Sequence, residues 1–122
     1  MQAIRGAITV NENSASAILQ AARSLLLETA TRNQLETSEI ISIIFTATPD
    51  LNAAFPAAAA REVGWTEVAL LDAVEMDVPS ALPRTIRTLM FVDRRHGPRE
   101  VSHVYLGGAA ILRPDLTEQR PG

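Results

Sequence analysis

The sequence predicts a single α+β domain in which helices cover one face of a mixed β-sheet. Its 122 residues fall within the size of one ordinary domain. The spacing of its apolar residues alternates between the two-residue period of strands and the period of helices. The predicted order is strand, helix, strand, helix, strand, strand, strand, which is typical of α+β domains.

The N-terminal part predicts a strand followed by a long helix. Residues 2–10 (QAIRGAITV) alternate in polarity, and Gly6 indicates either a bulge or a close backbone approach. Asn13 and Ser14 are helix-capping residues, and apolar side chains at helical spacing follow them. We therefore predict a helix over about residues 14–32.

The rest of the chain predicts shorter elements. Residues 40–48 (IISIIFTAT) form a β-branched run that Pro49 ends, so we predict a central strand there. An Ala-rich helix follows, with proline at its start and glycine at its end. We predict this helix from Pro56 to about Gly64, and three further strands over 66–72, 84–93 and part of Val104–Leu112. The domain is predicted to cover residues 1–113, followed by a mobile tail at 114–122.

Composition excludes several classes of chemistry. The chain has no cysteine and no lysine, so it offers no disulfide, thiolate nucleophile or lysine Schiff base. Its net charge of −3, without a basic stripe, disfavours nucleic acid as a partner. No apolar stretch reaches the roughly 20 residues of a membrane span, and we expect a cytoplasmic protein. The only histidines, His96 and His103, do not predict a metal site.

Three arginines lie inside or at the ends of apolar segments. They are Arg5 in AIRGAITV, Arg87 in TIRTLMFV and Arg113 in AAILRPDL. A guanidinium that leaves water must be paired and hydrogen-bonded. Each could sit at a strand end or pair with an internal carboxylate such as Glu75, but three together favour an anion-binding cleft. Composition does not name the anion.

Six segments together resemble the monofunctional, trimeric chorismate mutase family. They occur in the family's order, cover nearly the whole chain, and keep the family's separations between Glu75, Arg87, Tyr105 and Arg113. The segments are IRGAITV (4–10), TATPDLNAAFPAAAARE (46–62), EMDV (75–78), RTIRTLM (84–90), HVYL (103–106) and LRPDL (112–116).

The resemblance implies a homotrimer, a trimeric pseudo-α/β-barrel with active sites between neighbouring subunits. It also implies an isomerase of aromatic amino acid biosynthesis, which converts chorismate to prephenate by an intramolecular rearrangement. This chemistry needs no metal and no cofactor. The absence of cysteine and lysine is therefore compatible with the implied function.

The resemblance also assigns roles to individual residues. Arg87 donates to the ether oxygen, Arg5 binds a substrate carboxylate, Tyr105 orients the enolpyruvyl carboxylate, and Glu75 accepts from the ring hydroxyl and holds Arg87. Arg87, Glu75 and Arg5 are the implied catalytic residues. The other implied contacts are Leu71, Asp72, Ala73 and Val74 of the pocket backbone, Phe55, Ala57 and Arg61 of the facing subunit, and Arg113 and Leu116 of a closing tail.

Two positions depart from the family pattern, and two other functions stay open. Asp72 replaces a small neutral side chain, so it could repel a dianion, become protonated or point away. Ala58 stands where some members carry a lysine. The rival functions are a non-enzymatic trimeric small-carboxylate-binding protein and a structural domain whose arginines only form salt bridges. In the structural alternative, Phe55, Arg61, Tyr105 and Glu75 serve packing, solvation or pairing.

Overall fold

The computed structural model describes residues 1–95, 97 and 99–112, and within them five strands and two α-helices. Two short 3-10 segments, Thr37–Glu39 and Gly107–Ile111, accompany them. Along the chain the elements are β1 (Gln2–Thr9), α1 (Ala15–Arg32), β2 (Ile40–Ala47), α2 (Ala58–Glu62), β3 (Ala69–Val74), β4 (Thr85–Val92) and β5 (Val104–Leu106).

The five strands form one mixed sheet in the order β3-β2-β4-β1-β5. β4 lies antiparallel to both β1 and β2, and the outer pairs β2-β3 and β1-β5 are parallel. Successive side chains of a strand point to opposite faces, so this register decides which residues share a face. The mixed α+β sheet predicted from the sequence is confirmed.

One face of the sheet packs against the helices. Ser14 caps α1 by accepting a hydrogen bond from the Ala17 N–H at 3.2 Å. The helix then buries a stripe of apolar side chains, as its spacing predicts. These side chains and alternate residues of β1, β2 and β4 share one core, which includes Ile4, Ile18, Ala22, Leu26, Ile43, Phe45, Ile86 and Met90.

The opposite face, called the open face below, carries the other set of alternate side chains. Arg5 and Ala7 of β1, Thr46 of β2 and Arg87 of β4 alternate with core residues and therefore point to it. In the described part of the chain, both helices contribute to the core on the other face. Leu71 is 60% exposed at this side of β3.

The strand β3 is shifted from its predicted bounds, and the structure narrows two other predictions. β3 begins at Ala69 instead of residue 66, because Trp65 and Val68 enter the core before the strand starts. β5 stops at Leu106, where Gly107 turns the chain with φ of 59°. β1 has no bulge, and the sheet irregularity lies between Ile40 and Ser42.

Gly6 is instead a close approach between β1, β4 and α1. A Cβ atom there would lie 2.6 Å from Thr88 Oγ1 and 3.1 Å from Leu25 Cδ1. We expect Gly6→Ala to lower the free energy of unfolding by about 1–3 kcal/mol, measured by urea titration, because this overpacks a rigid core.

Adding Thr88→Ala to the Gly6→Ala variant tests whether the clash with Thr88 causes the loss of stability. Thr88 Oγ1 is buried and has no hydrogen-bond partner among the described residues, so its removal frees space without breaking a bond. The double variant should regain part of the lost stability. A Gly6→Ala protein as stable as the parent would show that the sheet and helix can separate at little cost.

Candidate active site

The open face brings together side chains from four strands and the loop after β3. Arg87 on β4 pairs with Ala7 of β1 on one side and with Thr46 of β2 on the other. Ala7 in turn pairs with Tyr105 of β5. Glu75 follows β3, and its N–H donates to the Ala47 carbonyl at 2.8 Å, which continues the strand pairing.

Arg5 lies on the same face as Arg87. It pairs with Leu89, two residues beyond Arg87 on β4, so Arg5 and Arg87 are diagonal neighbours about 7–8 Å apart. The backbone N–H of Arg5 donates to His103 Nδ1 at 2.9 Å, and the residue is exposed. Two permanent cations therefore face one region of solvent, an arrangement suited to a small dianion.

Arg87 is oriented by Glu75. The Arg87 Nε donates to Glu75 Oε2 at 2.5 Å, and Glu75 Oε1 accepts from Thr46 Oγ1 at 3.2 Å. The Arg87 side chain is 42% exposed and that of Glu75 is 21% exposed. Neither Nη atom of Arg87 has a hydrogen-bond partner among the residues that the structure describes. Within this part of the chain, only the Nε edge of the guanidinium is engaged, and its forked end has the geometry to bind a carboxylate or an ether oxygen.

Tyr105 is a packed residue, two strands away from Arg87 across Ala7 of β1. It is 8% exposed and shares a small apolar cluster with Ala7, Ala109 and Leu112. The chain after β5 lies against β1, where the Gly108 N–H donates to Thr9 Oγ1 at 2.9 Å. The ring is thus fixed by packing, and its contact with a substrate stays a prediction.

The residues predicted to face a neighbouring subunit lie in the loop after β2 and on α2. A cleft of about 460 Å³ lies at the edge of β3, between Asp72–Val74 and the loop after β2. Phe55 lines it and is 74% exposed, whereas Ala57 is buried and Arg61 is exposed. The helix α2, which carries Arg61, packs into the core on the helix-covered side of the sheet, whereas Arg87 lies on the open face.

Asp72 points away from Arg87 and Glu75. It pairs with Phe45, a core residue, and its Oδ1 accepts a hydrogen bond from the Ala57 N–H at 3.1 Å. Burial raises the pKa of Asp72 above its ordinary value, while the Ala57 N–H and the Arg61 charge oppose the rise. The second carboxylate is therefore not placed on the open face, which supports the last of the three alternatives for this position.

Asp72→Asn is expected to change stability in a pH-dependent way. A raised pKa means that the folded protein binds the Asp72 proton more tightly, so ionisation costs stability as pH rises through that pKa. Asparagine keeps an acceptor for the Ala57 N–H without this cost. At pH 7 the variant should gain no more than about 1 kcal/mol, because solvent screens a partly buried group.

Urea unfolding of both proteins between pH 3 and 7 measures the effect. The difference in the free energy of unfolding between the two proteins should disappear below pH 3.8, the ordinary pKa of the carboxyl. A variant that is less stable than the parent at pH 7 would contradict this assignment, because it would show that the charged carboxylate stabilises the fold.

Sequence reasoning missed two residues. Thr46 holds Glu75, and Asn13 contacts the loop after β2, although its predicted role was only helix capping, which Ser14 performs. Neither contact has a local signal, because each partner lies 29 or more positions away. The predicted closing residues Arg113 and Leu116, the tail 114–122 and His96 lie outside the described residues.

Side chains that could bind a metal ion are not clustered in the described part of the chain. Within 1–95, 97 and 99–112, no three His, Cys, Asp or Glu side chains are grouped as metal ligands would be. Over the same residues, no helix has the length and apolarity needed to cross a membrane. The chemistry on the open face is that of arginines and a carboxylate.

Comparison with known proteins gives consistent matches along the chain. A family model described as chorismate mutase type I matches residues 1–116. A chorismate mutase AroH from Thermus thermophilus is 48% identical over 117 residues, covering 95% of this chain and 96% of that protein. The Bacillus subtilis (strain 168) protein of the same name is 38% identical over 118 residues, covering 96% and 93%. A solved structure, chorismate mutase from Clostridium thermocellum, superposes with a TM-score of 0.87 at 50% identity, covering 91% of this chain and 99% of that one.

Proposed function

The chain belongs to the type I chorismate mutase family, and from that premise we propose that the open face carries its active site. The protein is an isomerase that rearranges chorismate to prephenate. The observation that carries the site assignment is the Arg87–Glu75 pair, which fixes one edge of the guanidinium and leaves its forked end for a ligand. Arg5 and Tyr105 complete the proposed set.

The rearrangement of chorismate does not require a protein group that reacts with the substrate. Chorismate is a dianion, and its rearrangement is unimolecular, with no external nucleophile and no proton transfer. Two effects accelerate such a step, namely restriction of the substrate to its compact conformer and stabilisation of the charge that separates as the ether bond breaks. Fixed arginines supply both effects.

Arg87 is proposed to donate to the ether oxygen, where negative charge grows. That contact is strongest in the transition state and therefore raises kcat. Glu75 keeps the guanidinium in place, offsets part of its desolvation, and accepts from the ring hydroxyl. Arg5 binds a carboxylate and Tyr105 orients the enolpyruvyl group, so that the substrate is held in its reactive conformer.

A homotrimer is part of the proposal. Arg61 lies on α2, which packs on the helix-covered side of the sheet, and Phe55 lies in the loop before α2, so we propose that both serve a substrate on the open face of a neighbouring copy. Phe55, Leu71 and Val74 are large apolar side chains that are at least 60% exposed in the single subunit, and assembly would cover them. Sedimentation velocity should give the mass of three chains, and a monomer at working concentration would refute this part.

Three finer expectations from the sequence also belong to the proposal. Residues 1–113 act as the domain, and Arg113 and Leu116 close over the bound substrate. Arg113→Ala should therefore raise KM more than it lowers kcat, because a closing segment contributes to substrate capture.

The proposed location is the cytoplasm, which suits a chain without cysteine.

The loss of chorismate absorbance, followed in buffer with a chelator, tests the function. We expect turnover without added metal or cofactor. Thermal unfolding with and without prephenate distinguishes the alternatives, because a ligand that binds the folded state raises Tm. A carboxylate-binding protein would show that rise without turnover, and a purely structural domain would show neither.

A further inference from the structure

The loop of residues 48–57, called the Phe55 loop below, is held by side chains from two distant parts of the chain. The loop joins β2 to α2, and Phe55 projects from it with 74% of its surface exposed. An exposed phenylalanine on an unconstrained loop would sample many directions. Here the backbone is fixed on both sides of Phe55.

Asn13 holds the first side. Its Oδ1 accepts hydrogen bonds from the Asn52 N–H at 3.0 Å and from the Ala53 N–H at 3.1 Å. Its Nδ2 donates to Asn52 Oδ1 at 2.8 Å. One amide side chain thus makes three bonds to two successive loop residues. Asn13 does not cap α1, because Ser14 does so, and this contact therefore has no role in starting the helix.

Asp72 holds the second side, through its bond from the Ala57 N–H. Only three residues, 54–56, lie between the two attachment points. The last of them is the buried Pro56, whose ring fixes φ. The direction of Phe55 is therefore set jointly by the N-terminus of α1 and by β3, two elements that are themselves anchored in the core.

We propose that Asn13 is a positioning residue for the reaction, acting through Phe55. It holds the Phe55 loop so that the phenyl ring meets a substrate on the open face of the neighbouring subunit. This inference rests on the proposed function and on the trimer. Asn13 itself touches no substrate, and its loss should loosen substrate binding while leaving the charges around the ether oxygen in place.

Steady-state kinetics of Asn13→Ala test the inference. We expect KM to rise about fivefold to tenfold with kcat within about twofold, because a loosened loop misplaces a binding contact and not the catalytic cation. Asn13→Asp keeps the oxygen that accepts from both loop N–H groups, and the Asn52 side-chain amide can turn to donate to the second carboxylate oxygen. The added charge is favoured near a helix N-terminus, so this variant should restore KM to within about twofold of the parent. Asn11→Ala, an exposed asparagine two positions away, is the matched control and should match the parent.

A double-mutant cycle separates positioning from general stabilisation. Phe55→Ala should raise KM at least as much as Asn13→Ala does, and Asn13→Ala should add less than about twofold in that background, because the two residues act through one contact. Full additivity would overturn the inference. If Asn13→Ala does not assemble, Asn52→Ala, which removes one of the three bonds, takes its place in the same cycle with a smaller rise.

These experiments distinguish a failure of the role of Asn13 from a failure of the proposed function. A parent protein that fails to turn over chorismate overturns the proposed function and the inference with it. An active parent whose Asn13→Ala variant shows unchanged kinetics overturns the inference alone. Sedimentation and Tm measurements on each variant verify that the compared proteins are folded trimers.

Discussion

Arg87→Ala is expected to lower kcat by about 100-fold to 1000-fold, the loss of about 2.7–4 kcal/mol that accompanies removal of one oxyanion donor. Arg87 is proposed to meet the ether oxygen as its charge develops, so the loss falls on the transition state more than on substrate binding. Stability should change little, because the side chain is 42% exposed and lies outside the core. Steady-state kinetics and thermal unfolding of the same preparation measure both quantities.

Arg87→Lys gives the sharper form of this test. Lysine keeps the charge, but one ammonium cannot occupy both the Nε position beside Glu75 and the position of the forked end that faces the substrate. We therefore expect kcat for the lysine variant to be closer to that of alanine than to that of the parent. Near-normal turnover in either variant would remove Arg87 from the proposed mechanism.

Arg23→Ala is the matched control for these variants. Arg23 pairs with Glu62 at 2.5 Å, as short as the Arg87–Glu75 contact, and its side chain is 39% exposed. It lies on α1, on the other side of the sheet from the open face. The kinetics should therefore match those of the parent, which would show that loss of a half-exposed arginine pair does not by itself impair the enzyme.

The fold could be predicted from local pattern where one face of an element is buried. The α1 stripe and the alternation of β1 and β4 follow directly from packing against one core. The start of β3 could not, because Val68 is a buried apolar residue of the preceding turn and looks like part of a strand. Strand order and the parallel β1-β5 pairing are long-range properties that no local spacing encodes.

The residues of the candidate site differ in how clearly the sequence alone indicates them. Arg5 and Arg87 stand out because a cation in an apolar strand demands an explanation. The role of Glu75 came from the family resemblance, since an exposed-looking carboxylate in EMDV carries no signal of its own. Thr46 and Asn13 were missed because register and loop packing, not sequence proximity, bring them to Glu75 and Asn52.

Glu75→Ala is expected to lower kcat by about tenfold to 100-fold, since a hydrogen bond to a charged group contributes about 1.5–3 kcal/mol. The substitution leaves Arg87 Nε without its carboxylate and frees the guanidinium to rotate away from the substrate. Glu75→Gln keeps an acceptor for Nε and should lose less activity. Thr46→Val removes only the 3.2 Å bond to the far oxygen of Glu75, so its effect should be the smallest of the three.

The combination with Arg87→Ala decides whether Glu75 acts through Arg87. If its main task is to hold the guanidinium, Glu75→Ala should lower kcat little further once Arg87 is gone, because the two residues form one unit. Loss of the proposed bond to the ring hydroxyl should still raise KM in that background. Fully additive effects on kcat would instead mean that Glu75 acts directly on the reacting atoms, and the positioning argument for the Arg87–Glu75 pair would then be wrong.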